Sequence, residues 1–167
     1  MAVSKLNPVA AASSKTMFRT TLTSGTSWTV PTGVTYVNVT LYGGGGGGGA
    51  GAASSGQNGS AGGTTTFTGA TSATGGNGGR FSNVSTSNAG TSAQSNSGLA
   101  GGGSFRDNGG PTYGEFGHNG TIISSTLSTT PGASIAYAIG AGGAGGTGSH
   151  DAGGTGGSGK IDIEYWV

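Results

Sequence analysis

Leu41 to Gly56 reads LYGGGGGGGAGAASSG, where an alternating β pattern ends in seven consecutive glycines, Gly43 to Gly49. Glycine loses more backbone freedom on folding than any other residue. Such a run is therefore either flexible linker, as Gly/Ser-rich segments usually are, or a place where main chains touch. The spacing of the non-glycine residues favours contact. From Ala141 the chain reads AGG-AGG-TGS, and after His150-Asp151 it resumes as AGG-TGG-SGK. Ala141, Ala144 and Thr147 fall three apart, as do Ala152, Thr155 and Ser158, and in TGGNGGR so do Thr74, Asn77 and Arg80. The phase slips at Ser149-His150-Asp151, as it would in a turn joining two three-fold helical runs. A polyproline-II-type helix has three residues per turn, rises about 3.1 Å per residue and makes no internal hydrogen bonds. An X-Gly-Gly repeat lines every X along one edge and leaves the others bare. Neighbouring helices can then exchange N–H···O bonds, with supporting Cα–H···O contacts, and give each amide the partner it requires. The glycines are expected to form a second core made of backbone.

Composition supports this division of labour. The chain has 167 residues, 41 of them Gly, about a quarter against a usual share of roughly 7%. Leu, Ile, Val and Phe together number 24, too few for a side-chain core over the whole length. Charged residues make up 7% and the net charge is +1, so there is no basic surplus for nucleic acid or an anionic membrane. The absence of Cys excludes disulfides and thiolate metal sites. No run approaches the length of a membrane-spanning helix. The N-terminal MAVSKLNPVAAASSKTMF lacks the apolar core of a secretion signal, so the expectation is a soluble protein beginning near Met1, with no membrane insertion.

Residues 1–16 are small and polar, and read as an attachment arm. Residues 17–167 read as one domain of β-strands and glycine-rich insertions. MFRTTL is a short strand candidate, and SWTVPTGV follows, with Pro31-Thr32-Gly33 marking a turn. Val34 to Tyr42 alternates, with Thr35, Val37, Val39 and Leu41 on one face. TTTFT, Thr64 to Thr68, is a weaker strand. TIISSTLS, Thr121 to Ser128, precedes a turn at Thr130-Pro131-Gly132, and SIAYAI places Ile135, Tyr137 and Ile139 on one side. KIDIEYWV turns Ile161, Ile163, Tyr165 and Val167 inward, and Lys160, Asp162, Glu164 and Trp166 outward. Helical periodicity is lacking, so the expected class is all-β, a small jelly-roll-like β-sandwich with polyglycine-II-type excursions.

The segment TSWTVPTGVTYVNVTLYGGGGGGG resembles the opening of the glycine-rich domain of bacteriophage tail-fibre and receptor-binding proteins. GTTTFTGATSATGGNGG, TTPGASIAYAIGAGGAGG and GGSGKIDIEYWV are similar to that family's later signposts, in the same order. The resemblance covers about residues 17–167. It implies a β-sandwich with glycine-rich excursions, similar to adhesins that cap the long tail fibres of T-even-type phages, whose connecting loops bind host receptors.

No catalytic set emerges. GGTGGSGKI places Gly154, Gly159 and Lys160 at a phosphate-loop spacing, but Ile161 stands where a Mg²⁺-binding hydroxyl is needed, and a strand follows instead of a helix. His150-Asp151 is half a dyad at a position where a polar turn is expected anyway. Asn38, Asn58, Asn83 and Asn119 head glycosylation sequons that the composition produces by chance. No metal site and no cofactor are expected, and the protein is not read as an enzyme.

Binding candidates gather in SFRDNGGPTYGEFGHNG, Ser104 to Gly120: Phe105, Arg106, Asp107, Tyr113, Glu115, Phe116 and His118, to which His150 is added. Aromatics among adaptable polar groups suit recognition of glycans or outer-surface proteins. The competing reading is that Phe105, Tyr113 and Phe116 plug the small core while Arg106 pairs with Asp107 or Glu115. Arg80 to Gly98 is a second polar loop. The expected role is therefore a virion protein, joined to other virion proteins by the arm and meeting a host cell-surface protein or glycan through its loops. By analogy with fibres it would be a homo-oligomer, for which a trimer is one form. A head or tail decoration protein is the alternative, and an ice-binding polyglycine-II bundle the third reading.

Overall fold

In a computed structural model, residues 15–52, 56–83, 93, 96–103, 114–149 and 151–167 are described. They are all-β, without helices: β1 (Met17–Leu22), β2 (Ser27–Thr29), β3 (Tyr36–Tyr42), β4 (Gly51–Ala52), β5 (Thr66–Phe67), β6 (Ser82–Asn83), β7 (Ile122–Ser128), β8 (Ser134–Ala138) and β9 (Lys160–Trp166). Two antiparallel sheets, ordered β1-β9-β3-β7 and β2-β8-β5, form a small β-sandwich. A parallel pair, β4 and β6, stands apart.

Alternation fixes which face is buried. In β3, Val37, Val39 and Leu41 lie level with Tyr165, Ile163 and Ile161 of β9. Except for Tyr165, which is half-buried, all of these are fully enclosed. The second sheet and its flanks close the core with Phe67, Tyr137, Val30, Val34 and Ala73. Trp28 of β2 lies across Phe67 and Tyr165, at ring separations of 6.3 and 6.0 Å. Burying each such side chain is worth about 1.5–3 kcal/mol. The two turns form where their residues demand: Gly33 and Gly132 take φ of 81° and 78°, the left-handed region that favours glycine. Val167, expected to face inward, is 49% exposed, because it lies beyond the last residue of β9. The TTTFT strand contracts to Thr66–Phe67.

Beyond Tyr42 the polypeptide enters the glycine bundle. Residues 43–50 are entirely buried, and their amides serve three neighbours in strict rotation. Gly43, Gly46 and Gly49 donate to the carbonyls of Thr121, His118 and Glu115. Gly44, Gly47 and Ala50 donate to Gly63, Ser60 and Gln57, and Gly45 and Gly48 to Gly157 and Gly154. Each neighbour is reached at every third residue, in antiparallel sense. Returning bonds come from three parallel segments: Gly76 and Gly79 donate to Gly44 and Gly47, Gly143 and Gly146 to Gly45 and Gly48, and Gly101 to Gly46. The centre is thus enclosed by six segments.

The six also bond to one another in a closed ring. In order around the centre they are 57–63, 140–148, 151–159, 98–103, 115–121 and 74–80, which returns to the first. Representative bonds are Ser60 to Ala144, Gly156 to Gly143, Gly154 to Gly102, Gly117 to Gly101, His118 to Asn77 and Gly59 to Gly79, all donated by the first-named amide at 2.8 to 3.0 Å. This is the three-residue period of a polyproline-II-type helix, in hexagonal packing. A Cβ on Gly45 would run into the Leu99 carbonyl, and one on Gly48 into that of Gly102, which is why the central stretch has no side chains. The X residues occupy the outside: Ala141, Ala144, Thr147, Ala152, Thr155, Thr74, Asn77 and Arg80 are exposed and Ser158 half-buried.

Sandwich and bundle are joined at Thr65. This fully buried hydroxyl donates to the Tyr42 carbonyl (2.7 Å) and accepts from the Gly140 amide (2.9 Å). It thereby ties the exit of β3 to the start of a ring segment.

Candidate functional site

Polarity of the molecule follows from the chain directions. Tyr42 and Lys160 lie level at the bundle end of the four-stranded sheet, and Met17 and Trp166 at the other. Thr16 and Val167 exchange main-chain bonds there, at 2.8 and 3.0 Å. The point from which residues 1–14 depart is therefore at the pole opposite the bundle. The central run Gly43 to Gly49 sets the far end about 22 Å beyond the sandwich, at the rise of such a helix.

That far end is where connections cluster. Ala50 and Gln57, Gly51 and Asp151, and Gly49 and Glu115 are bonded there, and Gly51 and Ala52 pair with Ser82 and Asn83. Gly56, Gln57, Thr147, Gly148 and Ser149 line a shallow depression of about 410 Å³, in which the Thr147 hydroxyl donates to Gln57 Oε1 at 2.8 Å. Gly103 and Gly114, which bracket the aromatic-rich loop in sequence, lie against each other at this end.

Of the predicted contact residues, Glu115, Phe116 and His118 are described; Phe105, Arg106, Asp107, Tyr113 and His150 lie outside the described residues. Glu115 and His118 are exposed, and their amides are held by the carbonyls of Arg80 and Asn77. Phe116 is 71% exposed. It sits on a ring segment between two glycine helices, so it does not plug the sandwich core. Phe81 is 40% exposed, and its amide is held by Asn58 Oδ1 at 2.9 Å. Its exposure went unanticipated, since RFS carries no pattern that separates core from surface.

No protein-family model and no curated protein matches the chain. At the phosphate-loop spacing, the amides of Gly154, Gly156, Gly157 and Gly159 are committed to Gly102, Gly143, Leu99 and Gly140 and are not turned to a phosphate. Lys160 contacts Asp162 at 3.0 Å and lies over the Tyr42 ring. Among the described residues, no group of three His, Asp, Glu or Cys side chains is placed to hold a metal ion.

The main charged cluster lies instead on the outer face of the four-stranded sheet. Asp162, expected to face solvent, is 3% exposed. It accepts from Arg19 (2.7 Å) and Thr21 (2.6 Å) and pairs with Lys160. Burial disfavours its ionised form, but the bonds from Thr21, Lys160 and Arg19 outweigh that and hold its pKa below the usual carboxylate value. Reciprocally, Asp162 raises the pKa of Arg19. With Asp162 buried beneath three donors, the cluster is a cross-strand brace, and Arg19 and Glu164 form its exposed rim.

Proposed function

We propose that the protein is a bacteriophage virion component of the glycine-rich fibre type. Its bundle is a rigid stalk that presents receptor-binding loops to the host cell surface. The observation that carries this reading is the separation of roles along one axis: Thr16 and Val167 paired at one pole, connections between bundle segments gathered at the other, and a lattice of main-chain bonds between. Such a lattice resists bending because each helix is bonded on several sides, and loops on a rigid scaffold lose less freedom when they bind. The exposed Phe116 and Phe81, with Glu115 and Gln57, give this end the aromatic and polar mixture that suits a glycan or an outer-surface protein, while His118 lies level with Gly46, partway along the bundle.

The likeness of the signpost segments to phage glycine-rich domains supports the virion assignment. Residues 1–16 would join the module to other virion proteins. Immunogold labelling of the intact particle made by the encoding genome tests placement, and absence of label from the particle overturns it. Particles in which residues 104–113 are replaced by a Gly-Ser linker of equal length should fail to adsorb. Unchanged adsorption would make the module a decoration protein.

A further inference from the structure

The sheet order β1-β9-β3-β7 leaves β1 and β7 as edges. Thr121 accepts from Gly43 and Thr129 donates to Thr35. Odd-numbered residues of β7 therefore turn their main-chain groups towards β3, and Ile122, Ser124, Thr126 and Ser128 turn theirs outward. By the same parity, the exchange between Thr16 and Val167 leaves Met17, Arg19 and Thr21 of β1 facing outward. Among the described residues, none of these outward groups has a main-chain partner. Proteins usually blunt such edges with charge, proline, a bulge or a covering element. β7, IISSTLS, has no charge and no proline, and its ladder to β3 runs through seven successive pairs.

The two edges fit each other. β1 and β3 run one way, β9 and β7 the other. If a second copy's β1 lies antiparallel beside β7, both molecules point in the same direction. Carrying the level rows of the sheet onward sets Ser128, Thr126 and Ser124 opposite the neighbour's Met17, Arg19 and Thr21. All six have outward-facing amides and carbonyls. On the core side the same register sets Leu127 opposite Phe18, Ser125 opposite Thr20 and Ile123 opposite Leu22. Phe18 stacks on Tyr165 at 5.8 Å yet remains 46% exposed, and Ile123, Leu127 and Leu22 are only half-buried. The pairing supplies the cover these residues lack.

We propose that β7 of one copy binds β1 of a second copy as an added antiparallel strand, assembling the chains side by side with their bundles pointing the same way. Two-fold pairing of β7 with β7 would also satisfy the amides, but it sends the bundles in opposite directions and leaves Phe18 uncovered. A heterologous contact of this kind repeats, into a ring where the rotation closes and into an open filament where it does not. The net charge of +1 sets little repulsion against it. This inference is independent of what the loops bind.

Thr126 provides the test, because its outward side chain would face the neighbour's Arg19. Thr126→Lys places like charges opposite each other and Thr126→Glu unlike charges. Both variants lose the same bond to Asn38 (2.8 Å), so their difference reports the contact between copies. In sedimentation velocity of the full chain at low salt, the wild type should self-associate. The Glu variant should associate roughly two- to tenfold more tightly than the Lys variant, with the gap narrowing in high salt. Thr126→Pro removes an outward amide that β3 does not use and should release monomers whose near-ultraviolet circular dichroism is native. A wild type that stays monomeric at its highest soluble concentration overturns the proposal. So does equal association of the Lys and Glu variants, which would place the contact on another surface or on a β7–β7 two-fold.

Discussion

Gly45→Ala is the sharpest perturbation of the backbone core. Gly45 donates to Gly157 at 2.9 Å and accepts from Gly143 at 2.8 Å, while its missing Cβ would fall on the Leu99 carbonyl. With six segments bonded around it, the residue has no open side towards which to move. Relief requires stretching the bundle and losing at least one of the two bonds. A buried amide or carbonyl left unpaired costs about 1–3 kcal/mol, and overpacking about 1–3 kcal/mol. Together they suggest a loss of about 2–6 kcal/mol, a large share of the roughly 5–15 kcal/mol that holds a typical domain together. At about 2–4 °C per kcal/mol for a chain of this size, the melting temperature should fall by about 4–24 °C. Urea unfolding followed by Trp28 fluorescence, alongside calorimetry, measures the change. Two controls set the scale. Ala144→Ser, on the exposed X edge, should stay within about 0.5 kcal/mol. Gly132→Ala, with φ of 78° and nothing near its Cβ, should cost about 1 kcal/mol from backbone strain alone. If Gly45→Ala is no worse than Gly132→Ala, the packing has slack, and the idea of a core built from main chain fails.

Thr65→Val should destabilise by about 1–3 kcal/mol in the same assay, since it strands the buried Gly140 amide and removes the second bond to the Tyr42 carbonyl, which Lys160 of the β9 ladder still serves; a neutral result would show that sandwich and bundle are not tied there. Asp162 has a folded pKa below its ordinary 3.8, so its contribution is complete above the unfolded value and lost as pH falls through the folded one. Wild-type stability should therefore decline with acid below about pH 4 more steeply than that of Asp162→Asn, whereas parallel pH profiles would contradict the brace. Phe116→Ala should leave the melting temperature within about 1–2 °C and reduce particle adsorption, and a large thermal loss would show the ring to be packed. The protein should show no thermal hysteresis, because the row Ala152, Thr155, Ser158 is crossed by main-chain bonds from Ala93 to Thr155 and from Asn96 to the Ser158 hydroxyl; ice-growth inhibition by the purified chain would reverse this.

The strands were legible because alternation is a local signal: Val37, Val39 and Leu41, and Ile161 and Ile163, declare one face wherever they are placed. The two turns were legible for a similar reason, since Gly33 and Gly132 follow residues that start turns. The three-residue phase around Ala141 and Ala152 announced an antiparallel pair, which Gly153, Gly156 and Gly159 form by donating to Gly146, Gly143 and Gly140. Hexagonal closure was not legible. Which segment lies beside which depends on bonds between atoms that every residue shares, so GQNGSAGG and EFGHNGT carry no mark of their places in the ring. Burial of Asp162 was hidden too, because Arg19 and Thr21 arrive from the far end of the sequence. Exposure of Phe116 could have been read from its setting: a phenylalanine between Glu115 and Gly117, in a segment packed on a main-chain lattice, has no side-chain pocket to enter.

Hexagonal closure also governs how the protein can change over generations. One residue inserted into any of the seven segments shifts its donors out of phase with two or more neighbours. Only whole triplets, added to all seven together, would lengthen the stalk. The connections at its tip obey no such constraint, since nothing inside the lattice has a side chain that must co-adapt with theirs. Stalk length is thereby frozen by the lattice, and if the tip binds a receptor as proposed above, the tip is the part left to follow a changing target.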